Sequence, residues 1–237
     1  MNPTSGGEPI HGLSVVDKPA GMTSHDVVAH CRRLFRQRRV GHGGTLDPSA
    51  TGVLLVGLGQ ATRLLRFLSA LPKSYVGEVV LGTTTDSLDA DGRVVATFDM
   101  GGVTVDDARA AAVGLVGDID QVPPMVSAVR VGGRRLYELA RAGTDVERVP
   151  RRVTVHRLDV SPGPEPGVLA ISVDCSSGTY VRALAADLGA ALGGGAHLRH
   201  LRRTAVGPFT IEEAHSLETL GPVAAPHPSP QLATTRA

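Results

Sequence analysis

The chain has 237 residues, of which 42% are hydrophobic and 20% charged, and its formal net charge is +1 at pH 7. This length and hydrophobic content predict one or two globular domains with a sizeable core. Two distant cysteines, Cys31 and Cys175, indicate neither a disulfide framework nor a zinc site, so we expect a reducing cytoplasm. No apolar run reaches the roughly 18 residues that cross a bilayer, and residues 1–7 lack the pattern of a signal peptide. We therefore expect no membrane partner.

The first quarter of the chain predicts two strands and a helix around a shaped loop. Residues 1–11 read as a flexible leader and 13–16 as a strand, and Ser24 is the predicted N-cap of a helix whose apolar face extends to residue 35. At 40–56 stands V-G-H-G-G-T-L-D-P-S-A-T-G-V-L-L-V, in which the proline after Asp47 disfavours a helix. The closing apolar run predicts a strand buried on both faces.

Asp47 is the only carboxylate in this central stretch, which places one acid on a loop with a rigid support. His42 lies five residues before it, and Arg38 and Arg39 stand just upstream. This pattern suits chemistry beside an anionic ligand. The alternative is an Asp-Pro turn at the mouth of a strand, which the spacing alone does not exclude.

The rest of the chain predicts alternating helices and strands without repeats or a clear linker, and hence a single mixed α/β domain. We expect the tail at 221–237 to be disordered, because it is rich in proline. In chain order the predicted elements are a helix at 61–68, strands at 75–81 and 92–98 that pair across an acidic turn, a helix opened by a capping box at 104–116, a strand at 122–131, a basic arm at about 123–152 with a helix at 135–142, strands at 153–160 and 168–174, a helix at 179–192, an extended segment at 197–206 and a last helix at 211–220.

Positive charge is almost all arginine and is unevenly distributed. It is clustered at 32–39, 130–141, 148–152 and 199–203. Any one cluster can be a solvated face, but four of them with few interleaved acids favour an RNA-binding surface.

Motifs for other chemistries are missing. The segment G-L-G-Q-A-T at 57–62 lacks the third glycine and the lysine of phosphate-binding loops, so no nucleotide cofactor is expected. The nine histidines show no paired ligand spacing, so no metal is expected either.

Five separated motifs, in order, resemble the TruB family of tRNA pseudouridine-55 synthases. They are G-L-S-V-V-D-K-P-A-G-M-T-S at 12–24, V-G-H-G-G-T-L-D-P-S-A-T-G-V-L at 40–54, P-K-S-Y at 72–75, C-S-S-G-T-Y-V-R-A-L-A-A-D-L-G at 175–189 and G-A-H-L-R-H-L-R-R-T at 195–204. The resemblance implies an α+β pseudouridine synthase fold over 12–220, with a mixed, mainly antiparallel central sheet flanked by helices and loops. It also implies a cofactor-free isomerase acting on a uridine in the T-loop of tRNA. The expected partner is the T-arm stem-loop of tRNA, and we expect a monomer.

The resemblance also implies roles for seven residues. Asp47 matches the catalytic aspartate, Tyr75 the tyrosine that stacks on the target base, and Arg182 the arginine that pairs with the aspartate. The substrate-contacting positions match His42, Tyr180 and Leu201, and Lys18 lies in the first motif with a supporting role.

The chemistry of such a site fits these residues, because moving uracil from N1 to C5 requires a carboxylate and a proton acceptor but neither a metal nor a redox cofactor. Attack at C1′, attack at C6 and a glycal route all remain open. An arginine beside Asp47 lowers the pKa of its carboxyl and so opposes the cost of burying it.

Two other functions are considered: an inactive RNA-binding or tRNA-folding module, and a synthase acting on another RNA. The bacterial family usually carries a small RNA-binding, PUA-like domain after the catalytic domain. We expect either that this domain is absent here or that the chain is a truncated form.

Overall fold

The computed structural model describes residues 9–127, 130–131, 133–135 and 146–220. Two 3₁₀ segments in these ranges cover Gly59–Leu64 and Ile211–Glu213. The helices and strands are, in chain order, β1 Gly12–Lys18, α1 Ser24–Leu34, β2 Val40–Gly43, β3 Thr51–Leu58, α2 Leu65–Leu68, β4 Lys73–Leu81, β5 Thr83–Thr85, β6 Val94–Thr97, α3 Val105–Val113, β7 Gly117–Gln121, β8 Arg130–Val131, β9 Arg134–Arg135, β10 Arg151–Pro162, β11 Val168–Cys175, α4 Val181–Ala191, β12 Ala196–Val206 and β13 Phe209–Thr210.

A single mixed sheet forms the centre of the fold. Its strands follow the order β1-β3-β12-β4-β11-β10-β7, with β2 paired to β3 and β13 to β12. Every pair in this sheet is antiparallel except β3 with β12, which is parallel. The mixed, mainly antiparallel sheet expected from the sequence is therefore confirmed. Among the described residues, no helix is long and apolar enough to cross a membrane.

Strand β3 is the rigid support that the apolar run predicts. Residues 52–58 are buried, with β1, β2 and β12 bonded around them. Gly52 has a φ of +102°, and a Cβ there would lie 2.1 Å from the carbonyl oxygen of Arg203. Only glycine allows β12 to pass this close to the start of β3.

Helices α1 and α4 cover the sheet with apolar faces. In α1 the buried side chains include Val27, Val28 and Cys31, as the helical spacing predicts. The predicted N-cap was wrong by one residue, because Thr23, not Ser24, accepts the Asp26 backbone N–H and forms a capping box with its carboxylate. Helix α4 packs into the main core, which also contains Val79, Val173 and Leu198 of the sheet.

Several predicted elements differ from the structure. The strand at 92–98 was expected to pair with β4, but β6 pairs with β5 in a separate two-stranded sheet, because β11 and β12 occupy both edges of β4. The first half of the helix at 61–68 is 3₁₀ and only the second half is α-helical, residues 122–127 form no strand, and the helix at 211–220 is reduced to one 3₁₀ turn at 211–213. Most of the predicted arm helix, Tyr137 and the tail lie outside the described residues.

Candidate active site

The loop between β2 and β3 carries Asp47, and its backbone is bonded by buried side chains from distant parts of the chain. Lys18 Nζ donates to the Pro48 carbonyl at 3.1 Å and to two carbonyls of its own turn. Ser24 Oγ accepts from Leu46 N–H at 2.9 Å and lies 3.2 Å from the Leu46 carbonyl. These bonds fix the residues on both sides of Asp47.

Arg203 of β12 holds the other end of the same loop. Its guanidinium donates to the carbonyls of Gly44 at 3.1 Å, Thr45 at 3.3 Å and Val53 at 2.7 Å, and the residue is fully buried. The loop that carries Asp47 is thus attached to β12 as well as to its own flanking strands.

Arg182, in the first turn of α4, connects the loop to the acidic turn after β5. Its Nε lies 3.0 Å from Asp47 Oδ2, and one terminal nitrogen lies 3.1 Å from Asp89 Oδ2. The same guanidinium donates to the carbonyls of Ser87 and Val126, each at 2.9 Å. All three of its nitrogens are therefore occupied, so the guanidinium has a fixed orientation toward Asp47.

Burial raises the pKa of the Asp47 carboxyl above its usual value, while the Arg182 guanidinium lowers it and the Asp89 carboxylate raises it further. The sequence reasoning anticipated the arginine but not the second aspartate. Asp89 belongs to the acidic turn T-T-D-S-L-D-A-D-G at 84–92. Asp89 lies 42 positions after Asp47 in the chain, so no local pattern in the sequence signals that both carboxylates contact Arg182.

A cavity of about 240 Å³ opens beside Asp47. It is lined by four of the other residues singled out from the sequence: Tyr75, Tyr180, Arg182 and Leu201. Tyr75 is buried on β4, and burial raises the pKa of its phenol. The side-chain amide of Gln121 bonds both backbone groups of Tyr180, donating to its carbonyl at 3.1 Å and accepting from its N–H at 2.7 Å.

Lys73 also lines this cavity, although it was not among the residues singled out from the sequence. Its Nζ donates to the carbonyls of Ser69 at 2.9 Å and Leu71 at 2.7 Å, and burial lowers its pKa to about 8. The signal that could have located it is the two-residue spacing from Tyr75, because alternate residues of a strand face the same side.

His42 and Lys18 lie outside the lining of the cavity. The ring of His42 stands 5.1 Å from that of His25 in an edge-to-face arrangement, and burial lowers its pKa to about 4. Lys18 is fully buried beneath the loop, and burial lowers its pKa to about 8.

The arginines at 199–203 do not form the open basic cluster suggested by the sequence. Arg199 bonds Glu78 and Glu165, and Arg202 forms two hydrogen bonds with Asp17, at 3.1 and 2.7 Å. Arg203 is buried under the loop that carries Asp47. The difference from the sequence expectation has two causes. Successive side chains of β12 point to opposite faces, and acids from other segments pair with Arg199 and Arg202. Both causes depend on which strands pair, so they could not be predicted from the sequence.

A fixed carboxylate and guanidinium at a cavity lined by tyrosines characterise a site that can work at a glycosidic bond. The chain matches the model of the TruB family of pseudouridylate synthases, N-terminal domain, over residues 32–181. It also matches the tRNA pseudouridylate synthase B C-terminal domain over residues 182–227. The two matches meet at the beginning of α4.

Two similar curated proteins are both named tRNA pseudouridine synthase B. The chain is 54% identical over 213 residues to the tRNA pseudouridine synthase B of Rhodococcus jostii (strain RHA1), covering 88% of this chain and 70% of that protein. It is 53% identical over 212 residues to the tRNA pseudouridine synthase B of Mycobacterium sp. (strain KMS), covering 88% and 71%. The chain therefore belongs to the TruB family of pseudouridylate synthases, as the motifs predicted.

Solved structures agree with this assignment. One chain of a Cbf5-Nop10-Gar1 complex matches with a TM-score of 0.69 and 32% identity, covering 92% of this chain and 58% of that one. An H/ACA RNP bound to a substrate RNA containing 2′-deoxyuridine matches with a TM-score of 0.65 and 31% identity, covering 88% and 51%. The predicted pseudouridine synthase fold is confirmed.

Proposed function

We propose that this chain converts uridine to pseudouridine at position 55 in the T-loop of tRNA, and that Asp47 is its catalytic residue. The observation that carries the proposal is the ion pair of Asp47 with Arg182 at the wall of a cavity lined by Tyr75 and Tyr180. The motifs that resemble the family contain these four residues. We infer a cytoplasmic enzyme that acts as a monomer, with residues 12–220 as its catalytic unit.

The residues divide the work of the reaction. The target base leaves the RNA stack and packs against Tyr75, which offsets part of the few kcal/mol that base flipping costs. Ionised Asp47 acts on the detaching glycosidic centre by one of the three routes left open above, and Arg182 maintains its charge and direction. Uracil then rotates within the cavity, C5 bonds to C1′, the C5 proton passes to water, and N1 takes up a proton, so that the product is an isomer of the substrate.

Among the two other functions considered, a synthase for another RNA keeps this chemistry and changes only the partner. An inactive RNA-binding module needs neither the Asp47 pair nor the cavity, so the geometry favours an enzyme. The names of the relatives favour tRNA as substrate.

The test is tritium release from 5-tritiated uridine in a T-arm stem-loop, with Asp47→Asn as the variant. We expect wild-type turnover, and a loss of at least about a thousandfold in the variant, because the reacting group is removed. Binding of the same RNA should change little.

The control substrate carries cytidine at position 55 and tritiated uridines elsewhere, and it should release no tritium. Turnover by Asp47→Asn would contradict the catalytic role, whereas wild-type release from the control RNA would contradict the assigned position.

A further inference from the structure

Most arginines on the surface of the described residues fall into two groups. In the first group each arginine pairs with a carboxylate: Arg93, Arg109, Arg152, Arg157, Arg199 and Arg202. In the second group each arginine is exposed, has no carboxylate of the described residues within 4.0 Å, and lies at 33–39 or at 63–66. We call this second group the arginine face: Arg33, Arg36, Arg38, Arg39, Arg63 and Arg66. Arg32 and Arg151 are also exposed without such a carboxylate but are not counted in the face, because Arg32 donates to the Val40 carbonyl and Arg151 lies on β10.

The arginine face is continuous although its members come from two separate segments. Arg39 Nε donates to Thr62 Oγ1 at 3.1 Å, and a terminal nitrogen of Arg39 lies 3.3 Å from Gln60 Oε1. These bonds join the end of α1 and the start of β2 to the 3₁₀ segment before α2. The two segments that carry the six arginines are therefore neighbours in the fold.

This face extends to the edge of the catalytic cavity. Ser69 lines the cavity, and its Oγ lies 3.1 Å from the carbonyl of Arg66, one turn earlier. Arg63 lies a further turn away, so the two side chains begin about 5 and 10 Å along the chain axis from Ser69. A polyanion whose target residue enters the cavity passes beside these arginines.

Arg36 supplies a second, independent observation. It occupies the C′ position after α1 with a φ of +49°, and the Schellman bonds Arg36 N–H to Arg33 carbonyl and Gln37 N–H to Arg32 carbonyl are both present. Glycine is the residue this position favours, and any other side chain there is strained. Backbone strain of this kind is often found at functional residues.

Two large apolar side chains lie within the face. Leu64 is 52% exposed and Phe67 is 59% exposed, and the guanidinium carbon of Arg66 stands 4.4 Å from the centre of the Phe67 ring. Unpaired bases of RNA stack on aromatic rings and on arginine planes. Cations beside an exposed ring therefore match RNA better than they match a purely charged partner.

We propose, resting on the function proposed above, that the arginine face binds backbone phosphates of the substrate RNA beside the target uridine, and that Phe67 stacks on an unpaired base of the same RNA. The paired arginines elsewhere take no part. The face fixes where the RNA lies while Asp47 and Arg182 perform the reaction.

The first experiment measures Kd, KM and kcat for a T-arm stem-loop at several salt concentrations. The double variant Arg63→Gln with Arg66→Gln should raise Kd and KM about tenfold and flatten the log–log salt dependence of Kd by about 1.5, because each lost phosphate contact contributes about 0.7–0.9. The charge-matched control is Arg109→Gln with Arg157→Gln, which removes the same charge from paired arginines. The control should leave Kd, KM and slope unchanged.

Arg36→Gly separates binding from stability. We expect a melting temperature equal to or above that of the wild type, because glycine relieves the strain, together with a salt slope flatter by about 0.7–0.9.

Phe67→Ala should weaken the stem-loop complex at least about fivefold but leave binding of a fully paired RNA hairpin stem unchanged.

The outcomes distinguish the two proposals. If the wild type turns over the stem-loop while the double variant keeps its slope and KM, the arginine face is wrong and the proposed function stands. If the wild type forms no pseudouridine but the double variant flattens the slope of RNA binding, the face stands and the proposed function fails.

Discussion

Two buried arginines flank Asp47, and they are stabilised in different ways. Arg182 pairs with two carboxylates, Asp47 and Asp89, whereas Arg203 donates to the backbone carbonyls of the loop and of Val53. A guanidinium shared by carboxylates controls their charge state, while one bonded to carbonyls controls the shape of the backbone. The difference separates an electrostatic side of the site from a structural side, and substitutions on the two sides should fail in different ways.

The largest effect should follow from Arg182→Lys. An ammonium cannot bond Asp47, Asp89 and two carbonyls from one fixed plane, so kcat should fall about a thousandfold, comparable with the roughly 3–5 kcal/mol that breaking a buried pair costs. Tritium release at saturating stem-loop measures this loss.

Arg199→Lys is the matched control, because Arg199 also bridges two carboxylates, Glu78 and Glu165, but remains partly exposed. Its kcat should stay within about twofold of the wild type. Equal kcat values for the two lysine variants would show that the planar guanidinium at 182 has no special part in the reaction.

Arg203→Lys should damage stability more than chemistry. The substitution keeps the buried charge but loses the geometry that holds Gly44, Thr45 and Val53, at a cost of about 3 kcal/mol. For a chain of this size that cost lowers the melting temperature by about 6–12 °C. The loss of kcat per folded molecule should be much smaller than for Arg182→Lys.

Arg202→Lys, one residue earlier, provides the comparison, because that side chain is partly exposed and pairs with Asp17. Its melting temperature should fall by no more than about 4 °C. If Arg202→Lys and Arg203→Lys had the same melting temperature, the structural role assigned to the buried Arg203 would be refuted.

The same contrast explains what could be predicted from the sequence. Asp47 and Arg182 were identified because each lies within a motif that resembles the family, and β3 was predicted because an apolar run implies a strand buried on both faces. Arg203 was placed among phosphate-binding residues, since nothing local distinguishes a buried arginine from an exposed one. Its environment depends on β12 running parallel to β3, and parallel pairing joins segments that are distant in sequence.

A smaller effect should follow from Asp89→Asn, which leaves Arg182 with Asp47 alone. Removing the Asp89 charge lowers the pKa of Asp47, because that charge raises it in the wild type. The acidic limb of the pH profile of kcat should then move to lower pH, with kcat down about tenfold because the guanidinium loses one of its anchors.

Asp86→Asn tests whether this effect is local. Asp86 lies in the same acidic turn but pairs with Arg93 on the surface. A shift of the pH profile in Asp86→Asn as large as in Asp89→Asn would mean that the turn acts through its total charge and not through contact with Arg182.

The smallest effect concerns stability, and its sign is opposite to that of activity. Burial raises the pKa of the Asp47 carboxyl above 3.8, so the folded chain binds the carboxyl proton more tightly than the unfolded chain does. The free energy of unfolding therefore declines as pH rises from 3.8 through the pKa of the folded state. Asp47→Asn has no such proton, and Arg182 keeps Asp89 as a partner. The melting temperatures of variant and wild type should therefore converge near pH 4, and the variant should be the more stable protein at neutral pH.

Asp174 provides a control of opposite sign, since hydrogen bonds from Ser74 and Arg157 lower its pKa, so Asp174→Asn should lose stability at neutral pH. A lower melting temperature for Asp47→Asn at neutral pH would show that Arg182 more than compensates for the burial of the Asp47 carboxylate.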